Sequence, residues 1–574
     1  MRAGSMVLGA AALLAGASAW VRVERVHATR AWIGERAQLA PGVRGRDRYV
    51  GSSACKGCHP DAWQSWHDSF HRTMTQLASK DTIAADWRGT RLPDGTTLRF
   101  EGARPIAEQG SVRDPIVLTT GAHHMQIFWK PSTSGDTLHA LPWAWLVDEQ
   151  RFVPNDATLL RPAGEPVDYT WNRVCIRCHA VAGSPGWHAG TGAIDTRVVE
   201  LGIACESCHG PGRTHVESHR EPWARGQSDR ADPTIVNPAR LDAQASSEIC
   251  AQCHAFTLAH DEERWLAHGP DHAPPDPLAA WGTLVRHPAR ADLRELDAVL
   301  EQDADYLVDR YWPDGMVRVT GREHGAMIES ACAKRGELSC LSCHSMHASA
   351  PDDQLRADAQ GDDACTQCHD AGAYETAAHH HHDAREAGAR CTSCHMPRTS
   401  WGLLGAIRSH QIDAPDPDVA DDTGRPLACN LCHLDRTRDW SRAWWTHWWR
   451  EGDAPQTEGS APPAGLEWIL AGDAGQRAIA AWHLGRATIH DRAWVVDALL
   501  QTLDDPYPAV RLVGWRALAL VLGDAMPRLD HGVMPEFADI ERIRAASGEA
   551  PTIDREVIES LRKARNPRRV ALAE

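Results

Sequence analysis

Apolar and polar positions divide the chain into three textures. Between residues 90 and 155 they alternate in short runs: Thr96-Thr97-Leu98-Arg99-Phe100, Ile116-Val117-Leu118-Thr119 and Met125-Gln126-Ile127-Phe128-Trp129, with Gly and Pro between them. Period-two runs bounded by turn residues predict strands, so a small β-rich insertion is expected over about 90–155. Helical periodicity covers 261–305 and 371–390, and returns over 473–485, 492–503 and 509–522. Asp504-Asp505-Pro506-Tyr507-Pro508 breaks the last two segments. Residues 451–465, rich in Gly, Pro and Ala, read as a linker, and the rest of 50–450 shows little regular periodicity.

The helix pairs over 466–545 resemble HEAT repeats, whose period is about 40–47 residues. Only about two fit, fewer than a free-standing solenoid needs, so the block is expected to lean on the preceding domain. Residues 546–574 are expected to form a C-terminal helix and a basic tail from Arg562 to Arg569, loosely docked or disordered.

Composition changes this picture in two ways. The hydrophobic fraction is 43 %, and Trp (24) outnumbers Phe (6) and Tyr (6) together, so a core supplemented by large apolar plates is expected, with indoles packed on them. Net charge is −17, which argues against nucleic-acid partners and favours a basic protein partner. At the N-terminus, Arg2, the apolar run Met6 to Ala19 and Ala17-Ser18-Ala19 read as a signal peptide over 1–21, or as an uncleaved membrane anchor extended by Trp20 and Val21. Either reading puts the bulk of the chain in the periplasm or otherwise outside the cytoplasm.

The chemistry lies in a pentapeptide. Cys-x-x-Cys-His occurs eight times, at Cys55/Cys58/His59, Cys175/Cys178/His179, Cys205/Cys208/His209, Cys250/Cys253/His254, Cys340/Cys343/His344, Cys365/Cys368/His369, Cys391/Cys394/His395 and Cys429/Cys432/His433. This is the attachment signature of c-type haem: two thiols form thioethers and the histidine becomes the proximal iron ligand. Zinc sites and dithiol redox pairs need no His directly after the second Cys. The motifs consume sixteen of seventeen cysteines and leave Cys332, which reads as a small buried apolar residue. Eight haem c groups are therefore expected in a domain over 50–450. The expected fold is a mainly α multihaem cytochrome c with low regular secondary structure, the β-rich insertion and the C-terminal HEAT-like α-helical block.

Successive motif starts are 120, 30, 45, 90, 25, 26 and 38 residues apart, so the close clusters should place neighbouring haems side by side. Each iron has a second axial position. With 24 histidines outside the motifs and only 10 Met, mostly bis-His, low-potential haems are expected. His67 and His71, four apart, would share a helix face. His215 is favoured over His219 after a Gly-Pro-Gly turn. His347 is too close to its own motif to reach the far side of its haem and should serve a neighbour. The run His379–His382 fans out at 100° steps, so one or two of them, with His380 and His382 preferred, should be ligands. His410 sits between two motifs. His123 and His124 in a strand would point to opposite faces, and His124 is the candidate. His324 is weaker, and His27, His139, His188, His287, His483, His490 and His531 read as surface or satisfied core histidines.

Gly321-Arg322-Glu323-His324-Gly325, Leu338-Ser-Cys-Leu-Ser-Cys-His-Ser-Met-His347, Cys391-Thr-Ser-Cys-His-Met-Pro-Arg-Thr, Ile407-Arg-Ser-His410 and Ala428-Cys-Asn-Leu-Cys-His are similar to multihaem cytochromes c that end in HEAT or tetratricopeptide repeats. Residues 202–215 resemble the tetrahaem cytochromes of nitrifying bacteria. The resemblance implies electron transfer in respiratory chains outside the cytoplasm and no known substrate; redox protein partners, a membrane quinol-linked complex among them, are expected, and no catalytic residue is assigned. The alternative is a multihaem oxidoreductase of the nitrite, hydroxylamine or tetrathionate type with one open haem. Some such octahaem enzymes carry Lys in place of a motif His, and no motif here does.

Overall fold

The computed structural model describes residues 31–43, 48–133, 137–165, 170–221, 232–450, 452–455 and 460–572. The signal or anchor segment 1–21 and parts of the linker 451–465 lie outside the described residues.

Two antiparallel sheets occupy the segment that alternates. A four-stranded meander runs Arg88–Arg91, Thr97–Glu101, Arg104–Gln109, Val112–Pro115. A five-stranded sheet orders Arg151–Pro154, Leu138–Leu146, Met125–Pro131, Leu118–Thr120 and Thr75–Leu77. Inward-facing Leu98, Ile116, Trp87, Phe128, Trp145 and Phe152 form one core between them; alternation along each strand sends these residues to one face and Arg99 or Glu108 to the other. The edge strand Thr75–Leu77 pairs with Leu118–Thr120. It carries the chain from the first attachment motif into the sheet.

The region 371–390 is less helical than its pattern suggests. It holds only the short turns Ala371–Tyr374, Ala377–His380 and Ala387–Ala389, and 261–305 keeps helix only at Glu262–His268, Leu278–Ala280 and Glu295–Gln302. Among the described residues no helix is long and apolar enough to cross a membrane.

The C-terminal helices Ala464–Ala471, Ala474–Leu484, Arg492–Leu500 and Pro508–Leu522 do not keep their core to themselves. Ile479, Leu499 and Leu518 belong to one buried cluster with Val317, Val319, Tyr311, Trp312 and Trp401 from the motif-bearing region. A buried ion pair crosses the same boundary: both carboxylate oxygens of Asp473 accept from Arg318 Nη2 at 2.9 Å. Asp473 also caps Ala474–Leu484 reciprocally with Gln476.

The basic tail is docked, contrary to the expectation of a loose end. After the helix Arg555–Lys563, Val570 and Leu572 are buried, Leu572 bridges to Leu160 and Arg569 pairs with Glu165. The apolar run Val570-Ala571-Leu572-Ala573 is too short to show a period, which is why the tail's sequence hides its anchor.

Candidate functional site

Each attachment motif closes a helical turn. His59, His179, His344, His369 and His433 donate their backbone N–H to the carbonyl of the first Cys of the motif, at 2.9–3.0 Å. The motifs at Cys205 and Cys391 form the helices Cys205–His209 and Cys391–His395, and the fourth ends the helix Ala243–His254. On such a turn residues i, i+3 and i+4 share one face. Both thiols and the imidazole of a motif therefore project together, as a covalently held porphyrin with one axial ligand requires.

The motifs approach one another through their cysteines. Cys55 lies against Cys205, Cys178 against Cys253, Cys250 against Cys340 and Cys365 against Cys391. Cys208 is an electrostatic neighbour of Cys250 and Cys253, Cys343 of Cys365, and Cys394 of Cys432. In motif order this traces first, third, fourth, fifth, sixth, seventh and eighth, with the second branching from the fourth.

Cys58, Cys368 and Cys432 are exposed, whereas the other thirteen motif cysteines are half-buried. Each is the second Cys of its motif. In the first and sixth motifs the leading thiols, Cys55 and Cys365, pack against Cys205 and Cys391, and the turn that follows carries Cys58 and Cys368 outward. Their amides still close that turn, Cys58 N donating to the Cys55 carbonyl at 3.2 Å and Cys368 N to that of Cys365 at 3.1 Å. Both thiols therefore keep the face they share with the motif histidine. Cys332, expected to be buried, is only half-buried. It lies on the short helix Ala331–Arg335, none of whose residues is buried.

Six motif histidines face a second imidazole. Ring centroids lie 6.2 Å apart for His59–His215, 6.3 Å for His209–His347, His344–His410 and His433–His382, 6.1 Å for His395–His379, and 6.4 Å for His254–His71. A metal–imidazole bond is about 2 Å, and a ring nitrogen lies about 1 Å from its ring centre. Two imidazoles on opposite sides of one metal thus have centroids about 6 Å apart. The six pairs have the spacing of an iron held between them, so the residues fit the cofactor that the motifs imply. Five pairs are within 27° of parallel, and His254–His71 is crossed at 72°.

The nitrogens are sorted for this geometry. Nδ1 of His209 donates to the Val236 carbonyl at 2.7 Å, that of His344 to Asp353 at 3.0 Å, that of His395 to Asp413 at 2.8 Å and that of His410 to Arg408 at 3.3 Å. Fixing the proton on Nδ1 leaves the Nε2 lone pair for a metal. Burial pushes His71 and His179 down to about 4, so both imidazoles are neutral at neutral pH.

Of the spare histidines expected as ligands, His71, His215, His347, His382 and His410 each face a motif histidine. His67, His124 and His380 do not. His67 stacks on Trp63 at 4.5 Å. The helix Pro60–His67 ends at Asp68, Ser69 caps a new turn Phe70–Thr73, and the face that His67 and His71 would share is broken there. His123 and His124 lie before the strand rather than in it, and stack on each other at 3.9 Å instead of pointing apart. In the histidine run, His379 rather than His380 faces a motif histidine. The helix Ala377–His380 ends at His381, whose left-handed backbone (φ 55°) turns the chain. His379 and His382 therefore reach two different motif histidines, while His381 stacks on Trp448 at 4.5 Å. Gly388 lies against the His382 ring with no room for a Cβ. His483 is spent structurally: its Nε2 donates to the Arg398 carbonyl at 3.0 Å. The carbonyl and carboxylate partners of the imidazoles were invisible in the sequence, since most of them come from other segments.

His179 and His369 differ from the other six. Among the described residues neither faces a second imidazole. His179 Nδ1 approaches Thr75 Oγ1 at 3.4 Å, at the edge of the five-stranded sheet. His369 meets the edge of Tyr374 at 5.6 Å, and Tyr374 in turn meets His379 at 5.2 Å.

Family models match two stretches: the doubled CXXCH motif over residues 331–374 and cytochrome c554 and c-prime over 137–210. No significant match is found among curated proteins. The outer cell wall cytochrome OcwA is similar in structure, with a TM-score of 0.47 at 18 % identity over 87 % of this chain and 99 % of that one. An undecaheme cytochrome from the S-layer of Carboxydothermus ferrireducens gives 0.35 at 14 % identity, covering 91 % and 70 %. The octaheme sulfite reductase MccA of Wolinella succinogenes gives 0.27 at 14 % identity, covering 66 % and 60 %. On its attachment motifs and the two family matches, the chain is a multihaem c-type cytochrome.

Proposed function

We propose that this protein is an extracytoplasmic octahaem electron carrier. It would pass electrons between respiratory redox partners along a chain of mostly bis-His haems, with the C-terminal HEAT-like helices as a docking block. Bound haem supplies reversible one-electron chemistry at iron. The six facing imidazole pairs at 6.1–6.4 Å carry the reading. A carrier needs saturated iron whose coordination does not change with redox state, and paired imidazoles supply that. The cysteine contacts support a continuous order of sites.

The ligand set follows residue by residue. His59, His209, His254, His344, His395 and His433 would hold iron at these six sites, each together with the imidazole it faces: His215, His347, His71, His410, His379 and His382. His179 and His369 are the proximal ligands of the other two. All sixteen motif cysteines, the exposed Cys58, Cys368 and Cys432 included, carry thioethers. Intact mass should exceed that of the processed chain by eight haems, and a mass showing six or fewer refutes the octahaem count.

A second reading rests on His179 and His369. An iron with no imidazole opposite can take an exogenous ligand, which is the requirement for a multihaem oxidoreductase. One spectrum separates the readings. Oxidised protein should give low-spin electron paramagnetic resonance signals from at least six haems. If the oxidoreductase reading holds, a high-spin signal that responds to nitrite or hydroxylamine will accompany turnover of about 1–1,000 per second. Absence of turnover with both substrates supports the carrier.

A further inference from the structure

Two of the six imidazole pairs are anchored differently from the rest. His209, His344, His395 and His410 give their Nδ1 proton to backbone carbonyls, as does His382 to the His380 carbonyl at 2.5 Å. His215 Nδ1 instead meets the Asp232 carboxylate at 2.7 Å, and His254 Nδ1 meets the Glu323 carboxylate at 2.9 Å. Both carboxylates are held in place. Asp232 Oδ1 accepts from Thr234 N at 2.8 Å and Thr234 Oγ1 at 2.5 Å. Glu323 Oε1 accepts from Gly321 N at 2.7 Å and Thr320 Oγ1 at 3.0 Å, leaving Oε2 for the imidazole.

We infer that Asp232 and Glu323 are potential-setting residues, making the sites of His59–His215 and His254–His71 the two lowest-potential of the six paired sites. This rests on the bis-His reading above. A carboxylate acceptor draws the Nδ1 proton more strongly than a neutral carbonyl. It raises the electron density and basicity of the imidazole, which favours the higher charge on iron and so the oxidised state. The placement has a consequence for the chain of sites. The first pair lies at one end of the motif order, and the fourth is the junction where the second motif branches off, through Cys178 and Cys253. A low-potential junction is one that an electron leaves readily in either direction.

The test is potentiometric titration of the full holoprotein, followed by optical and electron paramagnetic resonance spectra, for wild type, Asp232→Asn and Glu323→Gln. Each amide keeps an acceptor oxygen and removes the charge. Expected is a shift of one component per variant toward the reduced state, about tenfold in its oxidised-to-reduced ratio, or about 59 mV upward for a one-electron couple. In Glu323→Gln the His344–His410 site, which also feels this charge, should follow by less; the remaining components should stay in place, and haem mass should be unchanged.

The crossed rings of His254 and His71 mark the component that Glu323→Gln should move. Crossed imidazole planes leave the iron dπ orbitals nearly degenerate and give a strongly anisotropic low-spin signal, unlike the parallel pairs. Thr234→Val gives a check of opposite sign: it strips one donor from Asp232, strengthens the imidazole's hydrogen bond and should lower the first site's potential. Unmoved potentials with intact low-spin spectra, equal shifts in all components, or a high-spin iron in either amide variant overturns the inference. Failure of the bis-His reading would show differently, as a missing low-spin signal in wild type.

Discussion

Replacing His410 by alanine will convert one low-spin haem to high-spin while all eight remain attached. His410 faces His344 at 6.3 Å with the planes 25° apart, and its Nδ1 hydrogen bond to Arg408 turns Nε2 toward that space. The substitution removes one strong-field nitrogen donor and touches no cysteine, so covalent attachment and mass are unaffected. The expected result is about one spin lost from the low-spin envelope and about one gained near the high-spin region, with the potential of that component raised as an imidazole is lost. The histidine run supplies the internal control. His379→Ala should give the same conversion at the His395 site, and His380→Ala should leave the spectrum as it was, because only the former ring faces His395, at 6.1 Å. Conversion by His380→Ala, or none by His410→Ala, would refute the pairing.

The second large effect concerns stability. Asp473→Ala should destabilise the protein by about 3–5 kcal/mol, the cost of leaving one member of a buried ion pair alone. Arg318 would keep its guanidinium with only 3 % of the side chain exposed, stacked 4.1 Å over Trp312 and without its carboxylate. The same substitution removes the cap of Ala474–Leu484, a further loss of about 1 kcal/mol. The double variant Arg318→Met, Asp473→Leu should recover most of the loss, since matched apolar replacements avoid an uncompensated charge. Chemical denaturation followed by far-ultraviolet circular dichroism measures both. A single-variant loss below about 1 kcal/mol would show that the pair is hydrated rather than buried. The pair sits where the C-terminal helices share their core with Val317, Val319 and Trp401. Weakening it should therefore also expose the motif-bearing region to proteolysis, which a free-standing repeat block would not do.

His67 and His380 show where reading along the chain stops. Both satisfy local rules for a ligand, the first by a spacing of four from His71 and the second by its place among four consecutive histidines. What removes them is one hydrogen bond and one dihedral. Ser69 accepts from Arg72 N and starts a new turn after His67. His381 adopts a left-handed backbone and redirects the chain after His380. Periodicity assumes that a helix continues, and at both places it stops.

The attachment chemistry, by contrast, is contained in five consecutive residues, because one helical turn suffices to bring two thiols and an imidazole to the same face. The sequence by itself therefore determined the eight attachment motifs, the alternating strands and the C-terminal helices. Which motif lies against which was decided by packing, as where Cys55 and Cys365 meet Cys205 and Cys391. Which imidazole faces which motif was likewise decided only in three dimensions: His215 meets His59, His347 meets His209 and His71 meets His254 across separations of 156, 138 and 183 residues. The same holds for the carboxylates behind His215 and His254, and for the tail that buries Val570 and Leu572. A partner brought from another segment leaves no period in the chain, since its position depends on where the whole backbone packs.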